Sequence, residues 1–270
     1  MKLLNLRKEI KETFGQHNIE IVDADFIISE VLGVSRTELV LIEEISDEQE
    51  KEIREKVGVR LNNVPVEKIF HKAYFYGLEF KVDENVLSPR PESELLVDCA
   101  LKYIKENNYK SVLDVCTGSG CLAISVKKNA EVEVTASDVS MKALQIAKQN
   151  AKSLNAEINF IRSNMFEKIE GKFDLIISNP PYIDSEEVKT LEKEVVENDP
   201  ILALDGGEFG LKYYNIIHEN LRKHLNENGM LIVEIGEDQK ELITALFNDF
   251  NLVECVIDYA GHDRVLVFKR

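Results

Sequence analysis

The alternation of short apolar segments with amphipathic segments after residue 111 is the feature that most constrains the fold of this chain. Five segments rich in apolar and β-branched residues have the composition of buried strands: SVLDVC, VEVTAS, INFI, DLIIS and MLIVEI. Segments such as MKALQIAKQNAKSL lie between them, and their apolar residues recur at helical spacing. Because strands that alternate with helices form parallel sheets covered on both faces, we predict an α/β fold.

The C-terminal segment departs from this alternation. NLVECVIDYAGHDRVLVFKR contains two strand-like segments joined by a turn at Gly261, with no helix between them. It predicts an antiparallel pair at the end of the sheet. Together the segments predict a mostly parallel, seven-stranded sheet.

The N-terminal part has a different character. NLRKEIKETF, DADFIISEVLG and SDEQEKEIREKVGVRL carry apolar residues at helical spacing, with Asp23 as a candidate helix cap. We predict a helical bundle over residues 1–72 that serves partner recognition. Aromatic residues around Gly77 predict a β-hairpin linker over 73–88. The remaining domain, 89–270, would begin with a helix whose first turn contains Pro91.

Composition limits the function classes. The net charge of −16 works against binding to bare phosphate backbones, so we expect no direct nucleic-acid contact. No apolar run approaches the roughly 20 residues of a membrane helix, and the N-terminus lacks the apolar core of a secretion signal. We therefore expect a cytoplasmic protein. Its four cysteines show neither CxxC pairs nor histidines at zinc spacing, which predicts reduced, buried thiols and no metal.

A glycine loop follows the first strand of the α/β part. In SVLDVCTGSGCLAISVKKN, Gly118 and Gly120 allow close approach of backbone to a ligand, and the next helix directs free N–H groups at the loop. Asp138 ends the following strand, where its carboxylate can accept both hydroxyls of a ribose. The pattern G-x-G-x-x-A with this acidic partner suits a nicotinamide dinucleotide or S-adenosylmethionine equally. A purely structural turn is the third interpretation.

The segment NFIRSNMFEK places three candidate ligand contacts after the third strand. Asn164, Met165 and Phe166 combine an amide with two apolar side chains. Such a set can flank an adenine ring and hydrogen-bond its edge. The alternative is an ordinary strand end with core side chains.

The stretch DLIISNPPYIDSEE ends a strand with a rigid amide. Ligands of open α/β sheets bind beyond the carboxyl ends of the strands, so we expect Asn179 in the same cleft as the glycine loop. A neutral amide is a poor base, but it suits a planar nitrogen group such as an amide or an aromatic amine. We predict that the Asn179 oxygen and the Pro180 carbonyl accept N–H bonds from the substrate. Pro180 and Pro181 would hold these acceptors in place, and Tyr182 would stack on the planar group. A simple turn is the alternative.

These motifs resemble those of a known family. NPPY is similar to the motif of S-adenosylmethionine-dependent amino-methyltransferases. The ordered set VLSPRPESE, LDVCTGSG, ASDVS, FDLIISNPPYI, ENDPILALDGGEFGL, EIGEDQ and YAGHDRVLVFKR resembles the peptide chain release factor glutamine methyltransferases, the PrmC/HemK family. The resemblance extends from about residue 64 to the C-terminus.

The resemblance implies a Rossmann-like class I methyltransferase that uses S-adenosylmethionine, releases S-adenosylhomocysteine and needs no metal. Its substrate would be the glutamine in the Gly-Gly-Gln loop of class 1 release factors, methylated at the side-chain nitrogen by direct in-line transfer. The cofactor-binding residues that the resemblance implies are Cys116, Thr117, Gly118, Ser119, Gly120, Asp138, Met165 and Asn179. The segment after the third strand adds Asn164 and Phe166 to the predicted cofactor site. The implied substrate-binding residues are Asn179, Pro180, Pro181 and Tyr182, with Asn179 and Pro180 as the catalytic pair.

The sequence departs from the family at a few positions. Cys116 stands where the family usually has glycine, Asn164 where it has aspartate, and Ser88 where it has isoleucine; Phe209 also interrupts its usual pattern. The alternative functions are methylation of exocyclic amines of nucleic acids, a nicotinamide dehydrogenase and a non-catalytic binding module. Arg90, Glu92 and Glu94 either shape the pocket or cap a helix.

Overall fold

The structure is a computed structural model that describes residues 2–270, and the chain forms two compact units. The first contains the residues up to His71 together with 193–198, and the second contains 72–192 and 199–270. The hairpin that we predicted as a separate linker is therefore grouped with the second unit. The predicted domain boundaries themselves stay predictions.

The first unit is helical. Its N-terminal helices are α1 (Leu3–Gln16), α2 (Val22–Leu32), α3 (Asp47–Arg60) and α4 (Val66–Phe70). Their apolar faces bury a core that includes Leu6, Phe14, Ile27 and Ile53. This arrangement follows from the three- and four-residue spacing of the apolar positions.

The start of α3 and the end of α2 agree with the sequence pattern, whereas the start of α2 does not. α3 begins at a capping box in which Ser46 and Gln49 satisfy each other's backbone N–H groups. α2 ends at Gly33 in the left-handed conformation, as glycine permits. Asp23 was wrongly expected to cap α2. It lies within the first turn, and its carboxylate accepts from Arg60 Nε at 2.7 Å.

The second unit contains a hairpin and a seven-stranded sheet. The hairpin pairs β1 (Lys72–Phe75) with β2 (Leu78–Lys81), and the sheet has the strand order β5-β4-β3-β6-β7-β9-β8. Its strands are β3 (Ser111–Val115), β4 (Glu133–Asp138), β5 (Asn159–Arg162), β6 (Phe173–Ser178), β7 (Leu225–Glu234), β8 (Asn251–Ile257) and β9 (Asp263–Lys269). Only the pairs that involve β9 are antiparallel within this described sheet. The predicted seven-stranded α/β fold is confirmed.

Helices cover both faces of the sheet. They are α5 (Glu94–Asn107), α6 (Cys121–Asn129), α7 (Met141–Ser153), α10 (Lys212–His224) and α11 (Lys240–Leu246). The short helix α8 (Ser185–Val188) lies next to residues 208–210, and α9 (Lys193–Asn198) belongs to the first unit. Alternate strand residues enter opposite cores: Val112 packs with α5 and α6, whereas Leu113 packs with α10 and α11. Across residues 2–270, every helix is too short or too polar to cross a bilayer.

The register of the sheet aligns three strand ends. Val115 of β3 pairs with Ser137 of β4 on one side and with Ser178 of β6 on the other. The residues that follow these positions therefore emerge at one edge of the sheet. This register places Asp138 and Asn179 on either side of the glycine loop.

Candidate active site

A cavity of about 300 Å³ opens at this edge of the sheet. Most of the predicted site residues line it, namely Cys116, Thr117, Gly118, Ser119, Asp138, Asn164, Met165, Asn179 and Pro181. Other residues that line the cavity were predicted weakly or not at all, including Arg90, Ser93, Leu202 and Tyr213. The predicted residues Gly120, Phe166, Pro180 and Tyr182 do not line it.

The glycine loop is held by a buried aspartate. Asp114, near the end of β3, accepts a hydrogen bond from Thr117 Oγ1 at 2.6 Å. Gly118 has a φ of 55° and open space where a Cβ would stand, so its backbone is accessible. Gly120 serves packing instead, because a Cβ there would lie 3.1 Å from side chains of Ile124 and Ala147.

Asp138 is fixed by backbone donors. Its Oδ2 accepts from Gly118 N–H at 2.9 Å, and its Oδ1 accepts from Ser140 N–H at 2.8 Å. Burial raises the pKa of Asp138, and these hydrogen bonds oppose the rise. Since each carboxylate oxygen has two acceptor sites, Asp138 retains capacity for ligand hydroxyls.

The segment after β5 supplies part of the wall. Met165 lines the cavity with its sulfur 3.6 Å from Cys116 Sγ, and Asn164 Nδ2 donates to Glu167 at 2.7 Å. Phe166 is not where we expected it. Its ring is buried and stacks on His224 at 5.2 Å between centroids, so it fills the core below β5 and does not flank the cavity.

The cysteines differ in part from expectation. All four are free thiols, but only Cys99 is buried. Cys116 and Cys121 are half-buried because they stand at the cavity wall. Burial raises the pKa of Cys121 to about 12 and raises that of Cys116 as well. Both thiols are therefore neutral near pH 7, which makes them poor nucleophiles.

Asn179 presents one end of its amide to the cavity. Its Nδ2 donates to Ser93 Oγ at 3.1 Å, whereas its Oδ1 has no hydrogen-bond partner among residues 2–270. The two prolines that follow, Pro180 and Pro181, are buried. A carbonyl oxygen that is held in place and unpaired is suited to accept an N–H bond.

The glycine-containing segment DGGEFG, for which we predicted no function, packs against the NPPY loop. A Cβ at Gly206 would lie 2.8 Å from the backbone of Pro181 and Tyr182, and a Cβ at Gly210 would overlap the Tyr182 carbonyl oxygen. Gly206 N–H also donates to Ile183 O at 2.8 Å. The motif DGGEFG was visible in the sequence, but its contact with NPPY was not.

A buried carboxyl group lies behind Asn179. Glu234, at the end of β7, accepts from Ser93 Oγ at 2.5 Å, and burial raises its pKa to about 7. Arg90 and Glu94, which we predicted either to shape the pocket or to cap a helix, lie in different surroundings. Arg90 lines the cavity and donates to Asp199 at 2.9 Å, whereas Glu94 accepts the backbone N–H of Tyr76 at 2.7 Å.

Comparison with known proteins identifies the family. Residues 91–215 match the Methyltransferase small domain family, and residues 5–70 match the PrmC N-terminal domain family. A release factor glutamine methyltransferase of Agrobacterium fabrum is 40% identical over 262 residues, which span 93% of this chain and 90% of that protein. The chain belongs to the release factor glutamine methyltransferase family.

Other comparisons agree with this membership. A release factor glutamine methyltransferase of Thermodesulfovibrio yellowstonii is 37% identical over 97% of both chains. Among solved structures, a methyltransferase of Pyrococcus furiosus superposes with a TM-score of 0.56 at 21% identity, covering 78% of this chain and 98% of that one. The latter comparison supports the fold alone.

Membership in the release factor glutamine methyltransferase family makes the chain an S-adenosylmethionine-dependent methyltransferase. The cavity is chemically suited to this cofactor. Gly118 leaves backbone open, Asp138 has acceptor sites for a ribose, and Met165 adds an apolar wall. No group of three histidine, cysteine or acidic residues suited to a metal ion occurs in the part of the chain that the structure describes.

Proposed function

We propose that this protein methylates the side-chain amide nitrogen of the glutamine in the Gly-Gly-Gln loop of class 1 peptide chain release factors. The observation that carries this proposal is the unpaired Asn179 Oδ1 on the wall that also contains Gly118 and Asp138. The release factor substrate is suggested by the names of the relatives in Agrobacterium and Thermodesulfovibrio. We expect the protein to act in the cytoplasm, where release factors work.

The cofactor would be held by the cavity residues that precede Asn179 in the chain. The residues Cys116, Thr117, Gly118 and Ser119 would contact it through backbone, Asp138 would bind the ribose, and Asn164 and Met165 would lie beside the adenine. When bound, S-adenosylmethionine supplies an electrophilic methyl group on a sulfonium. The product would be S-adenosylhomocysteine.

Asn179 would orient the target nitrogen. The lone pair of an amide nitrogen is delocalised, so the nitrogen is a weak nucleophile. Accepting its N–H bonds at Asn179 Oδ1 and at the Pro180 carbonyl would direct the nitrogen at the methyl group. These bonds strengthen as the nitrogen gains positive charge during transfer, which lowers the barrier. The proton can leave after the C–N bond forms, so no strong base is required.

Pro181 and Tyr182 would complete the substrate side of the pocket. Pro181 lines the cavity, and the Tyr182 carbonyl oxygen accepts from Gln239 Nε2 at 2.9 Å, which anchors the loop. The stacking role of Tyr182 requires its ring to meet the substrate at the pocket entrance. We propose that Tyr182 contributes through this ring and Pro180 through its backbone carbonyl.

Methyl transfer to competing substrates tests the proposal. The protein would be incubated with methyl-labelled S-adenosylmethionine and either an intact class 1 release factor, the same factor with its Gly-Gly-Gln glutamine replaced by alanine, or bulk RNA. We expect label only in the intact factor, with mass spectrometry locating one methyl group on that glutamine. Label in RNA alone would instead support the exocyclic-amine alternative.

A further inference from the structure

A chain of two hydrogen bonds connects the active-site amide with a buried carboxyl group. We propose that Ser93 and Glu234 are positioning residues that fix the orientation of the Asn179 amide, so that its carbonyl oxygen faces the cavity. This inference rests on the proposed function, because it concerns the group that would hold the target nitrogen. Ser93 lies in the PRPESE segment and Glu234 in EIGEDQ, and they are 141 residues apart.

The single hydroxyl proton of Ser93 determines the orientation. Ser93 Oγ donates to Glu234 Oε2 at 2.5 Å, so toward Asn179 it can act only as an acceptor. The amide NH₂ is the only donor on the Asn179 side chain, and its Nδ2 lies 3.1 Å from Ser93 Oγ. The amide oxygen must then face the opposite way, where it has no partner among residues 2–270.

Without this chain, the two ends of the amide would compete for the same position. They have nearly the same shape, and a reversed amide would present its NH₂ to the NH₂ of the substrate. That arrangement offers no acceptor for the target nitrogen. Ser93 is 3% exposed and Glu234 is 2% exposed, so solvent does not readily replace either partner.

The charge state of Glu234 determines which groups donate and which accept in the two hydrogen bonds. Burial raises its pKa to about 7, while Ser93, Arg264 and Asn179 favour the ionised form. A protonated Glu234 can donate to Ser93, which frees the hydroxyl proton to bond Asn179 Oδ1 and allows the reversed amide. The other titratable groups that face Glu234 are Arg264, Glu92, Tyr182, Tyr214 and Cys121.

Tyr182, Tyr214, Cys121 and Arg264 do not account for a titration near neutral pH. Burial raises the pKa values of Tyr182 and Tyr214 above their ordinary range and that of Cys121 to about 12. The pKa of Arg264 is also raised, by its hydrogen bond to Asp258, against the effect of burial. Asp114, beneath the glycine loop, also has a pKa of about 7, so a transition at Asn179 reports Glu234 only if it disappears in Glu234→Gln.

The test combines kinetics with a direct observation of the amide. The variants are Glu234→Gln, which keeps the shape, Ser93→Ala, which removes the hydroxyl, and Ser93→Thr, which keeps it. Glu254→Gln is the matched control, since Glu254 is a half-buried carboxylate on β8 that pairs with Lys102. For each protein we would measure kcat and KM for release factor from pH 6 to 9, cofactor Kd, and the ¹⁵N–¹H resonances of the Asn179 side chain against pH.

We expect kcat of the wild type to fall as the pH drops below about 7, together with a shift of the Asn179 resonances. Glu234→Gln and Ser93→Ala should lose both transitions and lower kcat at pH 8 by about tenfold, the scale of one hydrogen bond, with cofactor Kd unchanged. Ser93→Thr and Glu254→Gln should keep both transitions.

Two results would overturn the positioning role. One is Asn179 resonances that titrate in Glu234→Gln as they do in the wild type. The other is a loss of kcat in Glu234→Gln that is matched by an equal loss of cofactor affinity, as a general structural role would give. The resonances need no substrate, so they decide this inference even if the wild type fails to methylate release factor, which would refute the proposed function separately.

Discussion

Replacing Asp114 by asparagine removes a buried charge beneath the glycine loop while keeping the shape of the side chain. Asp114 is fully buried, and its Oδ2 accepts from Thr117 Oγ1 at 2.6 Å. Its Oδ1 has no hydrogen-bond partner among the described residues. An asparagine oxygen can accept from Thr117 in the same way, and the NH₂ would take the place of the unpaired oxygen.

Burial raises the pKa of Asp114 from 3.8 to about 7. The folded protein therefore holds a proton that the unfolded chain has lost between these pH values, and the free energy of unfolding falls as pH rises through this window. The slope is about 1.4 kcal/mol per pH unit near pH 5 and lessens toward pH 7, where the carboxyl is half ionised, so the decrease from pH 5 to pH 8 is about 3 kcal/mol. Asp114→Asn removes this dependence. The buried NH₂ of the new asparagine can lower the free energy of unfolding by about 1–3 kcal/mol, but this loss is the same at every pH.

Urea unfolding followed by circular dichroism from pH 5 to 8 provides the assay. We expect the stability of Asp114→Asn relative to the wild type to increase by about 3 kcal/mol between pH 5 and pH 8. Asp174→Asn is the control, because burial raises the pKa of Asp174 but its hydrogen bonds outweigh this and lower it. The free energy of unfolding of Asp174→Asn should differ from that of the wild type by the same amount from pH 5 to pH 8. If the free energy of unfolding of Asp114→Asn also differs from the wild type by the same amount at every pH, the reasoning is refuted.

Two further predictions concern the cofactor and the substrate loop. Asp138→Ala should raise the Kd for S-adenosylmethionine by roughly tenfold or more, the scale of a charged hydrogen bond, as measured by calorimetry; an unchanged Kd would remove Asp138 from the binding site. Gly210→Ala should lower kcat by at least about tenfold with little change in cofactor Kd, because the new Cβ would displace the Tyr182 carbonyl and with it the NPPY loop. Gly15→Ala, in a helix with open space around the new Cβ, is the matched control and should leave kcat unchanged.

Local periodicity predicted most of the fold. Apolar runs bounded by turn residues identified the strands, and the missing helix before the last strand identified the antiparallel end of the sheet. The short helices α8 and α9 were missed because four to six residues are too few for an apolar period to emerge. Asp23 was assigned as a cap because its partner, Arg60, lies 37 residues away in the sequence.

The candidate site was predictable where it depends on strand ends. Parallel strands bring their carboxyl ends to one edge, which is why the sequence predicts Gly118, Asp138 and Asn179 in one cleft. Contacts between distant segments were not predictable. The hydrogen bond between Ser93 and Glu234 joins the start of α5 with the end of β7, and neither residue belongs to a recognisable pair motif.

The orientation of the target nitrogen by Asn179 is the central claim, and Asn179→Ala tests it most directly. The cofactor Kd and the single-turnover rate of methyl transfer to intact release factor should be measured on the same preparations. We predict a cofactor Kd close to that of the wild type and a transfer rate lower by about 100-fold or more, the scale of losing one preorganised polar group in the transition state. A transfer rate that remains near the wild-type value, or a Kd that rises in proportion to the loss of rate, would contradict the account.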